Sequence, residues 1–214
     1  ETMITNNYAD HIYTLSKGIS WITFQNECAA IRIDDQLCKQ GKGITLYSSF
    51  KQNLKGDKIY TVFEDSEGDE WILTNKGISI IGKKQVDSDF PFQYIKEADG
   101  IIYLVSQSDK LASYNFKTRQ FKFIEIPYHV SMINEVKKFD SNTLLLATDN
   151  GLIIYKIKEK EFQLIDIRTS TQASNVVQSV YQDHYKELWI FPQTTGVIRY
   201  NPSTKEMQLS LIHI

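Results

Sequence analysis

One pattern recurs along this chain and constrains everything else about it. A strand-like run ends in an aspartate turn, and a short apolar run follows. Ile59–Asp65 precedes Glu70–Ile81, Ile133–Asp140 precedes Thr143–Tyr155, and Val177–Asp183 precedes Glu187–Tyr200. A weaker copy runs from Phe92–Gly100 through Ile101–Val105 to Lys110–Asn115, and a more degenerate one opens with His11–Leu15 and Ile19–Phe24. The turn aspartates Asp65, Asp99, Asp140 and Asp183 stand 34, 41 and 43 residues apart. A period near 40 residues is the signature of stacked supersecondary units.

The copies share an internal grammar. The second run carries Trp21, Trp71, Tyr103, Leu145 or Trp189, and in three copies a polar turn ends in Gly77, Gly151 or Gly196. A third run follows, then a charged turn and a fourth run such as Gln120–Ile126 or Glu161–Ile167, alternating apolar and polar. Alternation of that kind belongs to a strand with one solvated face. No stretch carries a helical period. The expected fold is all-β: a β-propeller of about five four-stranded blades, over residues 8–42, 58–88, 90–126, 131–167 and 175–209. A single blade cannot bury both of its faces, so neighbours must stack.

Composition narrows the function. Hydrophobic residues make up 42% and charged residues 23% of the 214 residues, enough apolar content for a packed core. A net charge of −2 without any basic stretch argues against nucleic-acid contact by this segment. No apolar run reaches the roughly 18 residues of a membrane helix. Cys28 and Cys38 are expected to stay unbonded. If Asp34–Asp35 made a two-residue hairpin turn, Ile33 would face Gln36 and Ile31 would face Cys38. Cys28 would then lie about 10 Å out of register, beyond the roughly 7 Å that a disulfide spans between Cα atoms.

No catalytic residue, metal or cofactor is assigned. His11, His129, His184 and His213 lack metal-ligand spacing, and no zinc or hydrolase signature occurs. Asp65–Glu70 resembles a calcium loop only superficially, without the spacing or terminal glutamate of an EF-hand. The turn aspartates are expected to accept backbone N–H bonds in Asx-type turns. Trp71 and Trp189 recur at equivalent positions, so packing between blades is expected of them rather than sugar stacking. Any ligand surface should lie on the turns between second and third strands. There Asn26, Asn75, Gln107, Asn150 and Gln193 offer amides that both donate and accept, a chemistry suited to sugar hydroxyls.

Residues 62–78 read Val-Phe-Glu-Asp-x-x-Gly-Asp-x-Trp-Ile-x-Thr-x-x-Gly-Ile, which resembles the two-component regulator propeller repeat. Val180–Asp183, Leu188–Ile190 and Gly196–Pro202 form a second such copy, and Ile133–Tyr155 a third with leucine in the tryptophan place. The copies near His11 and Phe92 lack the glycine before the third strand. The resemblance implies the periplasmic sensor of a hybrid two-component system, anchored in the inner membrane, in a glycan-degrading gut bacterium. Such proteins carry two seven-bladed rings, a β-sandwich, a membrane helix, a histidine kinase and a DNA-binding response regulator, and the sensor is expected to act as a homodimer. The implied ligand is an oligosaccharide, and the implied output is control of glycan-utilisation genes.

Seven blades need roughly 280 residues, so the resemblance implies an incomplete ring, an open arc whose partners include the missing blades of the same propeller. Residues 210–214, within a run from Leu209 that resembles translated adaptor sequence, are set aside as a non-native tail. Two other readings stay open: a protein-interaction scaffold, and a propeller lyase or glycosidase. Fold alone does not separate them.

Overall fold

A computed structural model of the protein describes residues 8–24, 28–49, 51, 54–83, 91–115, 118, 120–170, 173–194 and 196–210. Its strands form consecutive antiparallel sheets in chain order. The first sheet is β1 (Ala9–Thr14), β2 (Ile19–Phe24), β3 (Ala29–Asp34) and β4 (Ile44–Ser48). The second holds β5 (Ile59–Glu64), β6 (Glu70–Thr74) and β7 (Gly77–Ile80). The third holds β8 (Phe92–Ala98), β9 (Ile101–Ser106), β10 (Leu111–Asn115) and β11 (Gln120–Ile124). The fourth is β12 (Ile133–Asp140), β13 (Thr143–Thr148), β14 (Gly151–Lys156) and β15 (Glu161–Ile165). The fifth is β16 (Val177–Gln182), β17 (Leu188–Pro192), β18 (Val197–Tyr200) and β19 (Met207–Ser210). The five successive antiparallel sheets agree with the expected all-β propeller architecture. Any fourth strand of the second blade would fall in residues 84–88, outside the described residues.

The first blade departs from expectation in one place. Gln36–Cys38 is not a strand but part of a four-residue helix, α1 (Asp35–Cys38). Asp34 caps it, its carboxylate accepting from the N–H groups of Gln36 and Leu37, which satisfies donors that a helix start leaves open. The strand that pairs with β3 is β4, with Ile33 opposite Ile44 and Ala29 opposite Ser48. The blade therefore runs to residue 48 rather than 42. Gly43 makes the return possible: at φ 127°, an added Cβ would sit 2.6 Å from both the Asp34 carbonyl oxygen and the Cys38 nitrogen. Both cysteines are free, Cys28 buried and Cys38 exposed, although the hairpin register that argued against a bond is not the one the chain adopts.

The chain divides into two compact units, residues 1–95 and 96–214, with the division falling inside β8. Within each unit the sheets stack by one rule. In the second unit, Leu145 and Ile154 are cross-strand partners, and they pack against Val180, Ile190 and Ile198 of the fifth sheet. In the first unit, Trp21 packs against Val62 and Ile72 of the second sheet. The row carrying Trp21 or Leu145 thus faces the following blade, and the row carrying Val62 or Val180 faces the preceding one. Trp21 and Trp71 are fully buried, and Leu145 is 1% exposed. Trp189 shares this strand position but is only partly buried, because its row lies on the face of the fifth sheet turned away from the fourth.

The first strand of four blades carries the same irregularity. Register shifts between Ala9 and His11, Ile59 and Thr61, Ile133 and Glu135, and Val177 and Ser179. A bulge there inserts one residue and re-aims the side chains beside it.

Candidate functional site

In the second and fourth blades the turn between second and third strands is built by a threonine and a glycine. Thr74 Oγ1 donates to the Gly77 carbonyl at 3.0 Å and accepts from Lys76 N at 3.3 Å. Thr148 does the same with Gly151 at 2.7 Å and Asn150 N at 3.1 Å. Gly151 adopts φ 101°, and a Cβ there would meet the Ile165 carbonyl oxygen at 2.6 Å, so only glycine fits.

Aligning the turns on these residues sets Asn75 beside Asp149, not beside Asn150. The position after the threonine anchors the incoming connection between blades. Asn75 Oδ1 accepts from Asp57 N at 2.8 Å and Lys58 N at 3.2 Å, while Asp149 accepts from Ser131 N at 3.1 Å. Asn150 is also engaged: Nδ2 donates to the His129 carbonyl at 3.0 Å, and Oδ1 accepts from Asn175 Nδ2 at 3.0 Å. Gln107 and Gln193 differ. Their backbones tie neighbouring segments, Gln107 O accepting from Ile133 N at 2.7 Å and Gln193 N donating to Val176 O at 2.9 Å. Their side chains are exposed. Asn26 lies outside the described residues.

The acidic turns serve the blades in a way that the Asx reading covers only in part. Asp65 Oδ1 accepts from Glu67 N at 3.0 Å and Asp69 N at 2.8 Å, and Oδ2 accepts from Trp71 Nε1 at 2.8 Å. Asp183 repeats the arrangement with Tyr185 N, Glu187 N and Trp189 Nε1 at 2.9, 3.0 and 2.9 Å. The bond from Trp189 leads the causes that hold the Asp183 carboxyl below its ordinary range, with the backbone donors adding to it. Each carboxylate oxygen has its own task, turn or indole. Sequence reasoning missed the indole, although the fixed six-residue spacing of Asp65–Trp71 and Asp183–Trp189 was its signal.

Glu70 holds a second buried network, between the first two blades. Its Oε2 accepts from Trp21 Nε1 at 2.6 Å, and its Oε1 pairs with Arg32 Nη2 at 2.8 Å. That hydrogen bond leads the causes that raise the Arg32 guanidinium above its ordinary range. An open cleft of about 460 Å³ lies nearby, between Ile12–Ser16 and Val62–Glu64.

The first strands of the second unit carry polar groups from one blade to the next. Asn134 Nδ2 donates to the Val177 carbonyl at 2.8 Å, and Val180 N donates to Glu135 Oε2 at 3.0 Å. Glu135 Oε1 also pairs with Lys137 Nζ at 3.0 Å. Among the described residues, no group of three or more His, Cys, Asp or Glu side chains is arranged to hold a metal ion.

No protein-family model matches the chain. It is 22% identical over 223 aligned residues to "Histidine kinase P4" of Formosa agariphila, covering 98% of this chain and 14% of that protein. Among solved structures it is similar to virginiamycin B lyase from Staphylococcus aureus, with a TM-score of 0.72 at 18% identity over 96% of this chain and 70% of that one. It is also similar to the extracellular domain of the putative hybrid two component system BT3049 from B. thetaiotaomicron, with a TM-score of 0.66 at 20% identity over 88% and 26%. The corresponding domain of BT4673 from B. thetaiotaomicron gives 0.67 at 17% identity over 99% and 29%. The chain thus spans about one seventh of the curated relative and under a third of each two-component structure. At these identities the likenesses establish the β-propeller fold.

Proposed function

We propose that this chain is part of the ligand-sensing, extracytoplasmic propeller of a hybrid two-component sensor, and that it recognises an oligosaccharide to control glycan-utilisation genes. One observation carries the reading: the chain's repeats resemble the two-component regulator propeller repeat, and a histidine kinase aligns with 98% of its length. The fold likeness to two extracellular two-component domains is consistent with it. In this reading the protein is periplasmic, anchored in the inner membrane and homodimeric, and the neighbouring blades of its propeller are its partners. The exposed amides of Gln107 and Gln193 are the groups best placed to meet sugar hydroxyls, whereas Asn75 and Asn150 are occupied in holding their own blade connections.

The likeness to a lyase favours a second reading, in which the propeller is catalytic. Calorimetry on the full-length gene product with a panel of oligosaccharides separates the two. Sensing predicts saturable binding with the sugar recovered unchanged. Cleavage products in the same samples would favour the lyase.

A further inference from the structure

Tyr13, Trp21 and Arg32 form one row across the first three strands of the first blade, Tyr13 opposite Trp21 and Trp21 opposite Arg32. Tyr181, Trp189 and Arg199 form the same row, in the same registers, across the first three strands of the fifth. In the other blades the third-strand member of this row is Ile80, Ser113 or Ile154. The Tyr-Trp-Arg set therefore belongs to the first and fifth blades.

In the first blade this row docks the next blade. Tyr13 and Trp21 pack with Val62 and Ile72, Trp21 Nε1 donates to Glu70 Oε2 at 2.6 Å, and Arg32 Nη2 holds Glu70 Oε1 at 2.8 Å. Glu70 stands immediately before Trp71, so alternation along the strand turns it back toward the first blade. In the fifth blade the same row is uncovered. Tyr181 is 61% exposed, Phe191 on the same face is 38% exposed, and the Arg199 side chain is 47% exposed against 17% for Arg32. Each arginine also has a carboxylate in its own blade, Asp34 at 3.5 Å for Arg32 and Glu187 at 2.5 Å for Arg199. Arg199 reaches Glu187 through Nε, and the guanidinium fork can hold a second carboxylate through Nη1 and Nη2, as Arg32 holds both Asp34 and Glu70. Trp189 differs from Trp21 in giving its indole N–H to Asp183, which leaves an incoming carboxylate to the guanidinium.

We infer that the outer face of the fifth sheet, built on Tyr181, Trp189, Phe191 and Arg199, docks a further blade of this repeat type, one that carries Asp or Glu in the place of Glu70 and pairs it with Arg199. Charge complementarity identifies the occupant. In the blades of this chain the residues in that place are Ser20, Glu70, Ile102, Leu144 and Leu188. Glu70 is the single acid among them, and Arg32 and Trp21 already hold it. Neither these five blades nor those of a second copy therefore supply the partner. The inference rests on that part of the reading above which gives the propeller neighbouring blades, and not on oligosaccharide sensing.

The test is hydroxyl-radical footprinting of the full-length gene product, read by mass spectrometry at Tyr181 and at Tyr185, which is 73% exposed. A docked blade predicts that Tyr181 is modified several-fold more slowly than Tyr185, and that its rate rises toward that of Tyr185 in Arg199→Met. Equal rates in wild type would overturn the docking face, and this readout does not depend on the variant's folding. Unchanged protection in a folded Arg199→Met would overturn the pairing with Arg199. A photo-reactive phenylalanine in place of Tyr181 then identifies the occupant. The expected cross-link lies within the same polypeptide, to a repeat with Asp or Glu immediately before its second-strand aromatic place. A cross-link to a second copy, to another protein or to a repeat with an apolar residue there would overturn the assignment, as would no cross-link at all. Failure of oligosaccharide binding in the calorimetry above would count against sensing alone, since neither readout here uses a sugar.

Discussion

The indole of Trp71 donates from Nε1 to the Oδ2 of Asp65 at 2.8 Å, inside a fully buried position of the second blade. The bond joins the turn that ends the first strand to the side chain that packs the second. Removing the carboxylate leaves a buried donor unpaired and frees two turn amides at once. Asp65→Ala is expected to destabilise the protein by about 2–3 kcal/mol in urea unfolding, the upper part of the range for an orphaned buried group. In a double-mutant cycle, Asp65→Ala and Trp71→Phe should be non-additive. Strict additivity would show that the bond contributes nothing. Asp140→Ala should cost less, because Leu145 replaces the indole there and the described bond to Asp140 comes from Asn142 N.

Glu70 and Arg32 form a pair whose side chains are 9% and 17% exposed. Breaking a buried pair by removing one partner costs more than exchanging both for apolar groups. Arg32→Met should therefore destabilise by roughly 3 kcal/mol, the low end for a buried pair because the guanidinium is partly solvated. Arg32→Met combined with Glu70→Gln should recover part of that loss. A double variant weaker than the sum of its parts would contradict a paired role.

Asp183 has a carboxyl held below its ordinary range, first by the Trp189 hydrogen bond. A depressed native pKa means that the unfolded chain takes up the proton first as the solution is acidified. The stabilisation is complete above the ordinary aspartate range and disappears as pH falls through the lower native value. Urea unfolding across an acid series should show this decline in wild type and a shallower one in Asp183→Asn. Equal slopes would remove Asp183 from the account.

The two thiols should behave differently. Burial raises the Cys28 thiol to about 11, with Asp57 adding to the effect, whereas Cys38 is exposed at the end of α1. The thiolate is the reactive form. Titration of the folded protein with a thiol reagent at mildly alkaline pH should find one fast and one slow group, and unfolding in denaturant should reveal two free thiols. A protein mass lower by two hydrogens would mean a bridge.

Much of the architecture was legible because each blade repeats its grammar. The Trp71, Leu145 and Trp189 positions are equivalent, and the Asp99–Gly100 dipeptide marks a tight turn whose residues adopt φ 51° and 68°, the hairpin geometry that Asp-Gly favours. The first blade was misread where local capping overrode strand pattern. Asp34–Asp35 looks like a hairpin turn, yet Asp34 starts a helix, and the true fourth strand, Ile44–Ser48, begins only after Gly41 and Gly43. The candidate amides were chosen by residue type rather than by register. Asn75 and Asn150 therefore fall at different turn positions, and both are engaged in holding blade connections.

The central claim is that this propeller senses a glycan and governs genes that use it. Transcript levels of glycan-degradation genes, measured after an oligosaccharide pulse in the parent strain and in a strain lacking this gene, test it most directly. The account predicts strong induction in the parent, its loss in the deletion strain, and its return when the gene is restored. Undiminished induction without the gene, across a panel of neutral and acidic glycans, would contradict it.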